Sequence, residues 1–114
     1  MQLVNQTKNN VIAPELQKAS GLFDRMKGLL GTKSLAESQA LWITFCSSIH
    51  TFFMNYSIDV VFVDRSLKVQ KAFAHVRPWR LIWPVWGANS VFEFSAGAIE
   101  RNRIEAGDQL HVGH

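Results

Sequence analysis

Residues 58–64 read IDVVFVD, a run of β-branched and aromatic side chains with an aspartate near each end. Such a run is a strand, and its poor alternation is that of a strand buried on both faces. Asp59 and Asp64 are an odd number of steps apart, so a regular strand points them to opposite faces and they cannot form an acid/base couple by themselves. Asp64 is read as satisfying the turn that follows. Asp59, set among apolar residues, calls for a partner, with Arg25 and Arg80 as candidates.

Working outward, Arg65-Ser66-Leu67 is short enough for a hairpin loop. In KVQKAFAHV (68–76), Val69, Lys71, Phe73 and His75 then face opposite to Lys68, Gln70, Ala72 and Ala74. Strands are also expected at LVNQT (3–7), at the end of NNVIAPEL (9–16), where Pro14 keeps the chain near an edge, and at LWITF (41–45). SVFEF (90–94) and the end of AGDQLHV (106–112) complete the set. Residues 77–90 carry Pro78, Pro84 and Gly87 and read as an irregular excursion. Leu22, Met26, Leu29 and Leu30 recur at helical spacing between a Ser20 N-cap and a Gly31 C-cap, and Ser95 can cap a second, short helix around AGAIERN (96–102). The expected fold is mainly β (α+β): a small antiparallel β-barrel or curled sheet of about seven strands, with one helix in the N-terminal half and a short C-terminal helix.

The chain has 114 residues, 47% apolar and 18% charged, a composition for one globular domain spanning 1–114. Its start lacks a basic stretch followed by an apolar run, no segment is apolar enough to span a membrane, and a lone cysteine forms no internal disulfide. These features predict a cytoplasmic location without membrane attachment. The net charge is +3, unevenly spread. No acid lies between Asp64 and Glu93, whereas Arg65, Lys68, Lys71, Arg77 and Arg80 all do, interleaved with Trp79, Trp83 and Trp86. Cations among aromatics are how single-stranded nucleic acid is held, so segment 65–86 is a candidate for that role; tryptophans tucked into a core are the plainer reading.

The stretch CSSIHTFFM (46–54) spaces Cys46, His50 and Met54 four apart, a soft ligand set of the kind that suits copper. Four strand steps span about 13 Å, too far for one metal unless the chain turns. No metal and no cofactor is therefore expected. A Cys46 nucleophile beside His50 is weighed against a small buried thiol, and the buried thiol is preferred. Glu93, flanked by Val91, Phe92 and Phe94, must be solvent-facing or paired.

The order Arg25-Met26-Lys27-Gly28-Leu29, then CSSIHTFFMNYSIDVVFVD (46–64), Pro78-Trp79-Arg80, Val91 to Glu93 with Ala96-Gly97, and Ile104 with Gly107-Asp108 resembles the family known as domain of unknown function 192. The resemblance implies a small, mostly β, barrel-like fold and no settled activity. It shifts weight from Cys46 to His50 and Thr51. Many relatives place glycine in the hairpin where this chain has Arg65-Ser66-Leu67. Together these readings predict a small-ligand-binding or interaction module with a polar cleft built from His50, Thr51, Asp59, Trp79, Arg80 and Glu93, taking a small polar ligand. The alternatives are a hydrolase with His50 or Asp59 as base and Arg80 as anion clamp, and the nucleic-acid binder.

Overall fold

The computed structural model describes residues 1–20, 35–51 and 56–113, with the side chains of Ser20 and His50 outside that description. Within it the chain is mainly β, with ten strands and one short helix. The strands are β1 (Gln2–Asn5), β2 (Asn10–Ala13), β3 (Glu15–Ser20), β4 (Gln39–Thr44), β5 (Ile49–His50), β6 (Ile58–Val63), β7 (Val69–Val76), β8 (Leu81–Ile82), β9 (Ser90–Ser95) and β10 (Leu110–Gly113); the helix, α1, is Ala98–Asn102. The helix expected over 21–31 lies outside the described residues, though Ser20, its expected cap, belongs to β3.

The central sheet runs β3-β4-β9-β6-β7. All six residues of β6 are buried, Asp59 included, which explains the apolar run from Val60 to Val63. Val61 and Val63 enter one core with Leu3, Phe92, Phe94, Ile104 and Leu110. Ile58, Val60 and Phe62 enter the other, with Leu41, Ile43, Ile49 and Val91. The period of a strand thus sorts alternate β6 side chains into two separate apolar layers, one on each face.

Two features depart from the expected antiparallel barrel. β3 and β4 pair in parallel, from Glu15↔Gln39 to Ser20↔Thr44. Strands that run the same way need a crossover, and residues 21–38 supply its length. The second departure is that no closed barrel forms among the described residues. The separate sheet β10-β1-β2 meets the central one through Leu16 N, which donates to Met1 O at 2.9 Å on the β3 side. On the β7 side the two meet through a short run of backbone bonds around the Lys68–Gln109 bridge, where Leu110 N donates to Leu67 O at 3.0 Å and Val69 N to Asp108 O at 2.8 Å. β5 and β8 form a third, two-stranded sheet over the second core.

The β6–β7 hairpin turns as Asp64 predicts. Its Oδ1 accepts from the Ser66 and Lys68 amides, both at 2.9 Å, and from Ser66 Oγ at 2.8 Å. Desolvation would raise the Asp64 pKa, but the Lys68 and Ser66 donors outweigh it and hold the carboxyl below its ordinary 3.8. The turn is thus held by a side-chain acceptor, with Leu67 at a φ of 69°.

β7 does not alternate simply. Val63 pairs with Val69 and Phe62 with Lys71, so Gln70 is an extra residue; a second irregularity lies between Ile58↔Val76 and Val60↔Phe73. Lys71 and Phe73 share a face as expected, but Val69 turns to the opposite core. In the second bulge His75 adopts a φ of 54°.

Candidate functional site

Asp59 is fully buried, and both of its oxygens accept backbone hydrogen bonds: Oδ1 from the His75 amide and Oδ2 from the Ile99 amide, each at 2.9 Å. The first secures the β7 bulge. The second caps α1 from a distant strand, because Gly97 at the N-cap offers no side chain and Ser95, the expected cap, instead accepts from Arg101 Nη2 at 3.2 Å. The arginine partners expected for Asp59 fall away differently: Arg25 lies outside the described residues, and Arg80 is exposed while Asp59 is not.

Thr51 is also fully buried. Its hydroxyl donates to Arg77 O at 2.6 Å and accepts from the Arg80 amide at 2.8 Å. Thr51 backbone atoms add bonds to Arg80 O and Trp79 N, so one residue clamps the turn 77–80 on which Trp79 holds a φ of 64°. Glu93 is fully buried opposite Val60 and is not without a partner. It alternates with Phe92 and Phe94 and shares Val91's face, whereas Asp59 alternates with Val60 and lies on the α1 face. The sheet therefore stands between the two carboxylates.

The predicted polar cleft is accordingly divided. Thr51, Trp79, Arg80 and Glu93 belong to the face covered by β5 and β8, and Asp59 to the other. His50 pairs through its backbone with Leu81, and its side chain lies outside the described residues, as does Met54. Cys46 is half-buried and its thiol donates to Ser48 O at 2.7 Å, so it is held by the turn of its own loop.

A groove of about 510 Å³ opens beside this turn, between β7 and the segment from Leu81 to Trp86. Its polar lining is Gln70 and Lys71; Phe73, Ile82, Trp83 and Trp86 supply apolar walls. Lys71 Nζ lies 5.3 Å from the Phe73 ring centroid, a cation held over an aromatic face. Trp83 is 77% exposed and Trp86 97%, so neither indole is part of the core. Gly87, at φ 84°, closes the loop against β7; a Cβ there would stand 3.3 Å from Gln70 Oε1. Arg65, Lys68, Lys71, Arg77 and Arg80 are all exposed. The exposed acids Glu15, Glu37, Glu100 and Glu105 lie elsewhere in the chain.

A second polar cluster carried no weight in the sequence beyond its Gly-Asp pair. Asp108, 2% exposed, accepts from Asn5 Nδ2 at 2.9 Å, the Glu105 amide at 3.0 Å and Lys8 Nζ at 3.0 Å. Burial would raise its pKa, but Asn5, the Glu105 amide and Lys8 hold it below the ordinary 3.8. Burial likewise opposes the charge on Lys8, yet Asp108 and Glu105 raise its pKa above 10.5. The cluster ties the start of the chain to its end, a structural duty. No sequence signal links Asn5 to a residue 103 positions away.

Fold and site define a small mainly β protein. The model of DUF192, described as uncharacterized ACR, matches residues 3–112, and the chain belongs to that family. It is 34% identical over 112 residues to a UPF0127 protein of Thermococcus sibiricus, covering 95% of this chain and 72% of that one. With a UPF0127 protein of Pyrococcus horikoshii it shares 32% identity over 111 residues, 95% and 96% of the two chains. The crystal structure of a protein of unknown function from Novosphingobium aromaticivorans has the same fold, with a TM-score of 0.82 at 19% identity over 98% of this chain and 84% of that one. Among the described residues no helix is long and apolar enough to cross a membrane.

Proposed function

We propose that the chain is a small-ligand-binding module whose working surface is the groove between β7 and Leu81–Trp86, with Arg80 at its border. The observation that carries this reading is the pair of exposed indoles, Trp83 and Trp86, beside Lys71 and Gln70 in one concavity. Exposing two large aromatic rings leaves roughly 2 kcal/mol or more of possible burial unused per ring, and a ligand with a flat face recovers it. Lys71 and the acid-free segment around it select for negative charge on that ligand. A nucleotide fragment meets both requirements.

The hydrolase reading has less support. A general base must reach the proton it removes, and both Asp59 oxygens already serve backbone amides away from solvent. Thr51 and Glu93 are likewise interior residues that shape the turn and sheet beneath the groove.

The test is a titration with thymidine 5′-monophosphate against ribose 5-phosphate, followed by tryptophan fluorescence and indole N–H resonances. The nucleotide is expected to quench fluorescence and shift the Trp83 and Trp86 resonances, and the sugar phosphate to do neither. Unmoved indole resonances at saturating nucleotide would remove the reading.

A further inference from the structure

Resting on the groove reading, we infer that the natural ligand is an extended single-stranded nucleic acid, with bases stacked on Trp83 and Trp86 and phosphates following Lys71, Arg77 and Arg80. Three observations point beyond a single nucleotide. First, the groove is not enclosed by its own indoles: Trp86 is 97% and Trp83 77% exposed, so each offers a ring face to a separate base. Second, the cations do not stop at the groove. Five of the twelve lysines and arginines fall within residues 65–80, all of them exposed, and no carboxylate interrupts the chain between Asp64 and Glu93. A mononucleotide needs one or two of these charges; a strand needs a track. Third, the turn carrying Arg77 and Arg80 is fixed from beneath by the Thr51 hydroxyl, at 2.6 Å and 2.8 Å, so the backbone bearing these cations is positioned before binding.

Unpaired bases are required, because a duplex already stacks its bases on one another and hides the faces the indoles would take. Charge argues against a neutral sugar chain, and a concave lining that includes Gln70 and Lys71 suits a strand better than the flat boundary of a bilayer.

The experiment measures anisotropy of fluorescein-labelled octathymidylate with the full chain, beside thymidine 5′-monophosphate. Octathymidylate is expected to bind at least tenfold tighter than the monophosphate. With three phosphate contacts at a slope of about −0.7 each, its affinity falls about 20-fold between 50 and 200 mM salt. Trp83→Ala and Trp86→Ala each weaken binding about tenfold, while Trp86→Tyr, which keeps a stacking ring, retains most of it. Lys71→Gln lowers the salt slope by about 0.7. Lys18→Gln, on β3 at the far edge of the sheet, leaves it unchanged. Unfolding midpoints equal to that of the parent chain confirm that each variant is folded.

Octathymidylate binding no tighter than the monophosphate would overturn the extended strand and leave the small-ligand reading standing. Failure of both ligands would overturn both. Failure of both together with a blue-shifted tryptophan emission on phosphatidylcholine vesicles containing one-third phosphatidylserine would reassign the surface to a lipid interface.

Discussion

Around Asp59 and Thr51, charged and hydroxyl side chains sit at zero exposure, whereas from Trp79 to Trp86 four large apolar side chains are more than half exposed. The two regions reverse the ordinary placement of polar and apolar groups, for opposite reasons. The buried polar atoms satisfy backbone groups that irregular structure would leave stranded: the bulge amide of His75, the helix amide of Ile99, and the Arg77 carbonyl and Arg80 amide of a tight turn. The exposed indoles of Trp83 and Trp86 stand outside both apolar layers. Polar groups inside therefore belong to stability here, and the apolar groups outside are the ones the proposed recognition would use.

The largest effect expected from this contrast is at Asp59. Asp59→Ala strands two part-buried backbone amides and costs about 2–6 kcal/mol in urea unfolding. Asp59→Asn, which keeps one carbonyl acceptor, costs about half of that. A loss below 1 kcal/mol for the alanine variant would mean that the amides find other acceptors and that Asp59 is not the pin described.

Thr51→Val is smaller, about 1–3 kcal/mol, because one hydroxyl is lost while the backbone bonds of residue 51 remain. Its signature is faster hydrogen exchange at the Arg80 amide than at β6 amides. Equal acceleration at both places would break the assignment of Thr51 to the 77–80 turn.

Acid separates the hydrogen-bonded aspartates from the groove. Asp64 and Asp108 are held below 3.8, so in the window beneath that value the unfolded chain binds more protons than the folded one. Their stabilisation is complete above pH 3.8 and is lost as pH falls through the lowered folded values. Asp108→Asn is expected to flatten the slope of stability against pH below 3.8, read from urea midpoints in acid. An unchanged slope would place the acid sensitivity elsewhere.

The smallest stability effect belongs to the other region. Trp86→Ala is expected to change stability by no more than about 0.5 kcal/mol, as for other surface substitutions without internal partners. A larger loss would show that the indole serves the fold, and would weaken the contrast.

Local chemistry was legible in the chain. The apolar run of β6 from Val60 to Val63 needs burial on both faces, and Asp64 sits where a hairpin needs an acceptor. Glu93 in an apolar strand, by contrast, left a solvent-facing and a paired carboxylate equally open, and the structure buries it with a partner. The candidate site was legible only in part. Residues 65–86 stood out by charge and tryptophan content, yet nothing in a hydrophobicity pattern says whether an indole is buried, and the burial of Thr51 beneath the turn was invisible. The division of the predicted cleft by the sheet depended on which β6 and β9 residues share a face, a matter of register.

The sequence by itself determined the longer strands β4, β6, β7 and β9, though not the short β5 and β8 or the split of residues 9–16 between β2 and β3. It also determined the turn at Asp64 and the basic, aromatic character of 65–86, because these depend on side-chain period and on neighbours a few residues away. Only the tertiary structure decided that β3 and β4 run in parallel, that Asp59 serves amides 16 and 40 residues distant, and that the tryptophans face solvent. Those outcomes depend on what packs against a residue from far along the chain, and a partner at long range leaves no mark in the local pattern.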